Sequence, residues 1–364
     1  MKKILLVVTF SLFMNIVYSQ TVYDAIDTTD IEIAERIKFI RSYYNQETDY
    51  KEFWHPKYKN YNSCNFSELV DGISRNLSPK SIRDRFNTQI TELQLLNDSL
   101  SYFKIFISDK SDPHLVEYKY YLVKLNGKYY LDNCKEYEKY RFNSYKTQYI
   151  TFYTSPWIKA DTIKMVEASN ALSELHSKLT PDKPLQNVTN FVCSSVEEMN
   201  ILTNMTHYYG YVGGFAQMDD NFIVSHNGPY DYIHEFIHIL LGNTAGGSFF
   251  LGEGVASYYG GLSYKTSYKE GLRYLKGCFA EKRCTFDLLL AKKIYNQRDN
   301  TPGYAFAALI CDFIINNYGY SYFMSLYNNP EVTDANLLNI VSADNQITVE
   351  DVLNNLIKII EDNE

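Results

Sequence analysis

The sequence is poor in the residues that mark several classes of protein. Its 364 residues include 17 glycines and 9 prolines, too few for collagen or a low-complexity chain. Its 35 lysines and arginines are outnumbered by 43 aspartates and glutamates, and the formal net charge is −8. Proteins that bind nucleic acid usually carry a basic face, so this balance argues against a nucleic-acid partner. The hydrophobic content of 45% and the aromatic content of 16% are sufficient for a folded core.

Long apolar runs are lacking beyond the N-terminus. Lys2 and Lys3 precede an apolar run over residues 4–17, and the small residue Ser19 follows it. This pattern predicts a signal peptide over residues 1–19, and therefore an exported protein that is secreted, periplasmic or at the cell surface. The run is shorter than the ~20 residues that span a bilayer, so we expect no transmembrane segment in the mature chain.

Cysteine pairs with metal-binding spacing are lacking as well. None of the six cysteines forms a Cys-x-x-Cys motif, which disfavours a cysteine zinc site. Because export permits disulfides, we expect Cys278 to pair with Cys284, and Cys64 with Cys134 as a second bridge. The remaining two cysteines lie in apolar surroundings and are expected to be buried thiols.

The patterning changes near residue 146, which predicts two domains after the signal peptide. Residues 20–145 begin with a helical pattern at 30–44 and continue into β-rich runs, two of them joined by Asn126-Gly127, a dipeptide typical of hairpin turns. We interpret this part as an N-terminal α+β accessory domain. Residues 146–364 alternate strands and helices at first and become wholly helical after residue 225. The predicted fold class is α+β.

One segment carries a metal-binding pattern. Residues 231–241 read DYIHEFIHILL, and His234 and His238 fall on one face of a helix because residues four apart lie one turn apart. Two imidazoles in that arrangement can share one zinc ion. Glu235 flanks them, where a carboxylate can take a proton from water and deliver it to a leaving group.

A catalytic zinc ion needs a third protein ligand, and the candidate is Glu253. It follows a glycine-rich turn at 242–247 that permits a helical reversal, and glycines flank it in the apolar segment LGEGVASYYG. Such surroundings favour a buried, partnered carboxylate. The residues therefore predict one Zn²⁺ per chain, bound by His234, His238 and Glu253.

The segments HEFIH and GEGVASYYGG together resemble the gluzincin zinc metallopeptidases. The resemblance is to the thermolysin-like catalytic domain of the aminopeptidase N superfamily and to its small secreted bacterial relatives. It implies a thermolysin-like zincin domain, with a mixed sheet lobe and a helical lobe, that hydrolyses peptide or protein substrates. It also implies that Glu235 acts as general base and then general acid. Tyr304, which opens the segment YAFAALI, would donate a hydrogen bond to the oxyanion.

In the same family an edge strand of the sheet pairs with the substrate. The resemblance therefore implies a substrate-binding role for the backbone of Gly214, Phe215, Ala216 and Gln217. The segment around these residues lacks the Gly-Ala-Met-Glu-Asn motif with which the aminopeptidases hold a free amine. The choice between endopeptidase and aminopeptidase stays open.

The helix of Glu253 departs from the family pattern at Ser257, where thermolysin relatives often carry an aspartate that orients a histidine ligand. Another group must then supply that hydrogen bond; Asp231, one helical turn before His234, is a candidate, and the alternative is that it only caps the helix. The alternative function is a non-catalytic, zinc-containing module that binds a peptide or protein and retains the peptidase fold. The intact Glu235 argues against this alternative, because a structural zinc site does not need it.

Overall fold

The structure, a computed structural model of the chain, describes residues 23–24, 26–69, 77–109, 115–207, 213–226, 230–263, 265–293 and 300–362. The predicted signal peptide lies outside these residues. The fold class is α+β, as predicted, with two β-sheets. Among the described residues, no helix combines the length and apolarity needed to cross a bilayer.

The regular elements are numbered in chain order. The strands are β1 (Tyr23–Asp24), β2 (Asn87–Asn97), β3 (Leu100–Ser108), β4 (Leu115–Leu125), β5 (Lys128–Asp132), β6 (Asn143–Lys146), β7 (Ile150–Thr154), β8 (Val188–Cys193), β9 (Met205–His207), β10 (Gly214–Gln217) and β11 (Phe222–His226). The α-helices are α1 (Ile31–Tyr43), α2 (Pro79–Arg85), α3 (Lys135–Glu138), α4 (Thr162–Leu179), α5 (Val196–Leu202), α6 (Ile233–Leu241), α7 (Phe249–Gly260), α8 (Tyr268–Ala280), α9 (Phe286–Leu290), α10 (Thr301–Tyr318), α11 (Tyr320–Tyr327), α12 (Leu337–Asp344) and α13 (Val349–Asp362).

The described residues divide into two compact units. The first contains those up to Phe142 together with residues 195–207, and the second contains Asn143–Ser194 and those from Gly213 onward. The first break lies near the predicted boundary of 145/146. Residues 195–207, in contrast, fall within the predicted second domain but belong to the first unit. Their strand β9 pairs with β4, and such long-range pairing leaves no local sequence pattern.

The first unit is built on a six-stranded sheet. Its strands follow the order β1-β2-β3-β4-β5, and β9 pairs with β4. Asn126 (φ 50°) and Gly127 (φ 80°) form the two-residue turn between β4 and β5, which confirms the predicted hairpin. Asn204 fixes the returning segment: its Oδ1 accepts from the Cys134 N–H at 2.7 Å, and its Nδ2 donates to Asn133 Oδ1 at 2.5 Å.

The second unit combines a five-stranded mixed sheet with a helical core. The strand order is β10-β11-β8-β7-β6, in which β11, β8 and β7 are parallel and both edge strands are antiparallel. Apolar side chains of α4 and α6, such as Leu172 and Phe236, pack against the sheet residues Phe152 and Val188. The regular elements described after β11 are all helices, which agrees with the predicted change to helical structure after residue 225.

All six cysteines lie in the described part of the chain and are buried thiols, so the two predicted disulfides are wrong. Cys134 Sγ lies 3.1 Å from the Lys119 carbonyl oxygen, and Cys64 Sγ lies 3.7 Å from that of Tyr58. These two thiols therefore donate to separate acceptors. The thiols at positions 278 and 284 both pack in the apolar helical core. Cys193 and Cys311, the two cysteines expected to be buried thiols, are buried thiols.

Candidate metal centre

Helix α6 positions three of the predicted site residues. It begins after Tyr232 and ends at Gly242, whose φ of 73° disfavours any residue with a side chain. His234 and Glu235 are each 5% exposed. The His238 side chain is 15% exposed, so this face of the helix is reachable from solvent.

Three predicted ligands converge. One ligand atom each from His234, His238 and Glu253 lies within 4.8 Å of the other two. Glu253 Oε2 is 3.1 Å from His234 Nε2 and 3.5 Å from His238 Nε2. The two imidazole rings are 5.0 Å apart between centroids. The structure thus brings together residues that are separated by up to 19 positions in the sequence.

Glycine allows α7 to approach α6 closely enough for this convergence. A Cβ atom at Gly260 would clash with the backbone N of His234 and lie 2.7 Å from its Cα. Gly254 instead faces α10, where a Cβ would lie 2.5 Å from the Ala307 carbonyl oxygen. The helix that carries Glu253 is therefore packed closely between α6 and α10.

The orientation of His234 is fixed by the backbone. Its Nδ1 lies 3.0 Å from the carbonyl oxygen of Gly261, and because a carbonyl only accepts, Nδ1 carries the hydrogen. The Nε2 atom is then directed at Glu253. Gly261 thus supplies the hydrogen bond for which the sequence suggested Asp231, whose side chain is exposed. The Ser257 hydroxyl is buried and has no hydrogen-bond partner among the described residues.

The surroundings of His234 favour its protonated, positively charged form. Burial by itself lowers the pKa of His234, but the hydrogen bond to Glu253 and the charges of Glu235 and Glu253 outweigh it and raise the pKa to about 9. Burial would raise the pKa of Glu253, yet the imidazoles of His238 and His234 hold it well below its ordinary value. Surroundings that favour a proton at His234 also favour a cation between these ligand atoms.

The side chain of Glu235 extends from α6 to the edge strand β10. Burial raises the pKa of its carboxyl, while the two histidines and a hydrogen bond from the Ala216 backbone N–H partly oppose that rise. The backbone bond holds the carboxylate beside the histidines. A carboxylate can accept more than one hydrogen bond, so it retains capacity for a water molecule.

The register of β10 separates the four residues predicted to bind substrate. The His226 N–H donates to the Gly213 carbonyl at 3.1 Å, and pairs that exchange hydrogen bonds alternate with pairs that do not. The backbone groups of Phe215 and Gln217 therefore face β11. Those of Gly214 and Ala216 face the open edge of the sheet, where β10 is the terminal strand of the described sheet.

The side chains of Phe215 and Gln217 are also committed elsewhere. The Phe215 ring packs edge-on against Phe222 at 5.7 Å between centroids. Gln217 Oε1 accepts from the Asp220 N–H at 2.9 Å and caps the short 3₁₀ turn Met218–Asp220. Of the predicted set, only Gly214 and the carbonyl oxygen of Ala216, whose N–H donates to Glu235, remain placed to pair with a substrate through the backbone.

Tyr304 lies at the site, and two neighbouring aromatic residues were not predicted from the sequence. The Tyr304 ring is 6.3 Å from the His234 ring and 5.5 Å from the Phe249 ring. Phe249 precedes Glu253 by four residues, a spacing that could have placed it on the same helix face. Tyr232 packs over Gly214, where a Cβ would lie 2.7 Å from its ring. Its position depends on the tertiary fold and has no local signal.

The donor set fits zinc. Two imidazole nitrogens and a carboxylate oxygen are common zinc ligands, and the His234 Nδ1–H bond to a carbonyl is the support that zinc-binding histidines typically have. Among the described residues, no other cluster of three or more histidine, cysteine or acidic side chains could hold a metal ion.

In the comparisons with known proteins, no family model and no curated protein matches the chain.

Proposed function

We propose that the chain is a zinc metallopeptidase of the gluzincin type with a thermolysin-like catalytic unit. The observation that carries the proposal is the convergence of His234, His238 and Glu253 within 4.8 Å, directly beside Glu235. A zinc ion held by these three side chains would supply Lewis acidity toward a carbonyl oxygen and toward water. The mixed sheet with an antiparallel edge strand, followed by helices, supports the assignment.

Glu235 is the general base and then the general acid. Its carboxylate accepts a proton from the attacking water and passes it to the nitrogen of the departing amine. Burial favours this role because it raises the pKa of the carboxyl, which makes it a better proton acceptor. The Ala216 N–H keeps the carboxylate in place during both transfers.

The substrate, a peptide or protein, adds to the sheet as an extended strand. The outward backbone groups of Gly214 and the outward carbonyl oxygen of Ala216 pair with it, and this pairing aligns the scissile bond with α6. Tyr304, half-buried at the start of α10, donates a hydrogen bond to the oxyanion that develops on the carbonyl. The signal-peptide pattern of residues 1–19 supports export, so we expect the substrate to lie outside the cytoplasm.

A non-catalytic zinc-binding module is the competing interpretation. A structural zinc site usually closes its fourth position with another protein ligand. The described residues around the three ligands include no fourth histidine, cysteine or acidic residue within their cluster. Glu253 and His238 are also partly exposed, at 28% and 15%, which supports access for a substrate.

The test is mass-spectrometric profiling of a mixed peptide library with the zinc-loaded full-length protein and its Glu235→Gln variant. New peptide termini only with the wild-type protein, and equal zinc content in both, are the expected result. Equal cleavage by both proteins would refute the role of Glu235. Absence of cleavage by zinc-loaded wild-type protein would favour the non-catalytic module. Blocking the peptide N-termini separates the two peptidase types, because only an aminopeptidase would lose its cuts.

A further inference from the structure

The turn between α6 and α7 is held by a segment that lies 84 to 86 positions further along the sequence. Ala245 in this turn donates its N–H to the Tyr327 carbonyl oxygen at 3.0 Å. Gly246 packs so closely on the same segment that a Cβ atom there would clash with the Val332 carbonyl oxygen. The buried Tyr327 hydroxyl donates to the carbonyl oxygen of Gly242, at the end of α6. The turn therefore depends for its position on the chain that follows α11.

Asp334 lies in that segment and contacts the N-terminus of α7. Its Oδ1 accepts from the Ser248 hydroxyl at 2.7 Å and from the Phe250 N–H at 3.0 Å. Ser248 in turn caps α7, since its hydroxyl oxygen accepts from the Leu251 N–H at 3.3 Å. The first turn of α7 reads FFLG and so contains no acidic residue of its own. Asp334 therefore supplies from a distance the acceptor and the negative charge that a helix N-terminus favours.

The Asp334 carboxylate is also held from its other side. Its Oδ2 is ion-paired with Lys292, and only 10% of the aspartate side chain is exposed. The Lys292 ammonium lies 5.6 Å from the centre of the Phe249 ring, and that ring packs against Tyr304. Both carboxylate oxygens thus have partners, and the carboxylate joins the start of α7 to the aromatic pair beside the metal ligands.

Glu253 lies three residues after Phe250, about 4.5 Å along the axis of α7. The bond from the Phe250 N–H to Asp334 therefore determines how far Glu253 advances toward His234 and His238. Zinc–ligand distances vary by only about 0.2 Å, so a small displacement of α7 weakens the site. We infer that Asp334 is a positioning residue of the metal centre, which holds α7 where Glu253 reaches the ion. The inference rests on the zinc centre of the proposed function and does not need peptide hydrolysis.

The test is zinc affinity, measured on the full-length protein by competition with a chromogenic chelator. Asp334→Ala removes both acceptor bonds, and its zinc affinity should fall about tenfold, as it does when groups that orient metal ligands are removed. Asp334→Asn keeps an acceptor oxygen, and the partly exposed Lys292 can turn to solvent, so this variant should regain most of the affinity. Unchanged affinity in Asp334→Ala would overturn the inference.

A matched control separates positioning from a general effect on stability. Asp351 accepts from the Thr348 N–H at 2.9 Å at the start of α13, a helix that carries none of the proposed ligands. Asp351→Ala also removes a carboxylate from a helix N-terminus, but it should leave zinc affinity unchanged. Thermal unfolding verifies that both alanine variants are folded at the temperature of the titration. Equal losses of zinc affinity in the two variants would overturn the role of Asp334.

Ser248→Ala is the second variant, for the case that Asp334→Ala does not fold. It removes one of the two donors to Asp334 and keeps the Phe250 bond, so its zinc affinity should fall by a smaller factor. Unchanged affinity in this variant would also count against the inference.

The outcomes distinguish this inference from the proposed function. A wild-type protein that binds no zinc would overturn both. Cleavage and zinc binding that persist equally in Asp334→Ala would overturn the positioning role and leave the peptidase standing. Zinc binding that depends on Asp334, without cleavage of any library peptide by the wild-type protein, would support the positioning role and count against the peptidase.

Discussion

The carboxylate of Glu235 accepts a hydrogen bond from the backbone N–H of Ala216. The bond joins the helix that carries two proposed zinc ligands to the strand that is proposed to align the substrate. Ala216 can make it because its backbone groups face the open edge of the sheet instead of β11. The proposed general base and the proposed substrate-binding edge are therefore fixed relative to each other.

Ala216→Pro removes this N–H and tests the arrangement. Proline is tolerated at an edge position whose N–H is not part of the ladder, so the melting temperature should change little. Loss of one hydrogen bond to a charged group should lower kcat for peptide hydrolysis about 10- to 100-fold. Ala216→Ser keeps the N–H and should retain normal activity. Unchanged kcat in the proline variant would show that the bond does not support catalysis.

Glu253→Ala should release zinc. The variant removes one of three converging ligand atoms and leaves two histidines, so zinc affinity should fall by more than ~100-fold. Zinc content after dialysis, measured by mass spectrometry, should drop well below one ion per chain. Glu174→Ala, at an exposed position of α4, is the matched control and should keep its zinc. Full occupancy in the Glu253 variant would remove it from the ligand set.

Tyr304→Phe should affect the chemical step more than binding. The variant keeps the ring contacts with His234 and Phe249 and removes only the hydroxyl. Loss of an oxyanion donor typically lowers kcat by about 10²–10³, with little change in KM. Tyr153→Phe, on β7, serves as the control for loss of a tyrosine hydroxyl elsewhere in the same unit. A near-normal kcat in Tyr304→Phe would withdraw its proposed role.

The parts of the fold that sequence reasoning captured depend on local patterns. The helix Ile31–Tyr43 lies within the helical pattern predicted at 30–44, and Asn126-Gly127 forms the predicted hairpin turn. The convergence of Glu253 on the two histidines could also be anticipated, because helical spacing and a glycine-rich turn determine it. Each of these features is encoded within about twenty residues.

The features that sequence reasoning missed depend on contacts between distant segments. The return of residues 195–207 to the first unit is determined by pairing with β4 and by the buried Asn204. The Gly261 carbonyl that orients His234 is a backbone group, and every residue has one, so the sequence does not indicate which carbonyl makes this contact. The disulfide prediction used only the spacing of cysteines, and spacing does not reveal the direction of the thiols.

Acid should weaken the first unit through Glu136. Burial alone would raise the pKa of this carboxyl, but Lys135, Lys57 and Lys139 lower it to about 2. A pKa below its unfolded value stabilises the folded state above about pH 4.5, and this contribution is lost as the pH falls from there toward 2. It amounts to at most about 3 kcal/mol.

The measurement for Glu136 is urea unfolding followed through Trp54, which is buried in the first unit. Glu136→Gln should be less stable than the wild-type protein at pH 7, and the difference should shrink toward pH 3. Glu35→Gln, at an exposed position of α1, should show no such pH-dependent difference. A difference for Glu136→Gln that is independent of pH would mean that packing, not charge, accounts for it.

Two glycine-to-alanine substitutions should have opposite effects on stability. A methyl group at Gly260 would clash with the His234 backbone, 2.7 Å from its Cα, so α7 must move away from α6. Overpacking of this kind costs typically about 1–3 kcal/mol, and the displacement should also lower zinc affinity. Gly277 lies within α8, and a methyl group added there would have no atom within 4 Å, so alanine should stabilise the protein by about 0.5–1 kcal/mol. Thermal unfolding of both variants checks the signs, and a Gly260→Ala protein with normal stability and zinc affinity would show that the two helices tolerate separation.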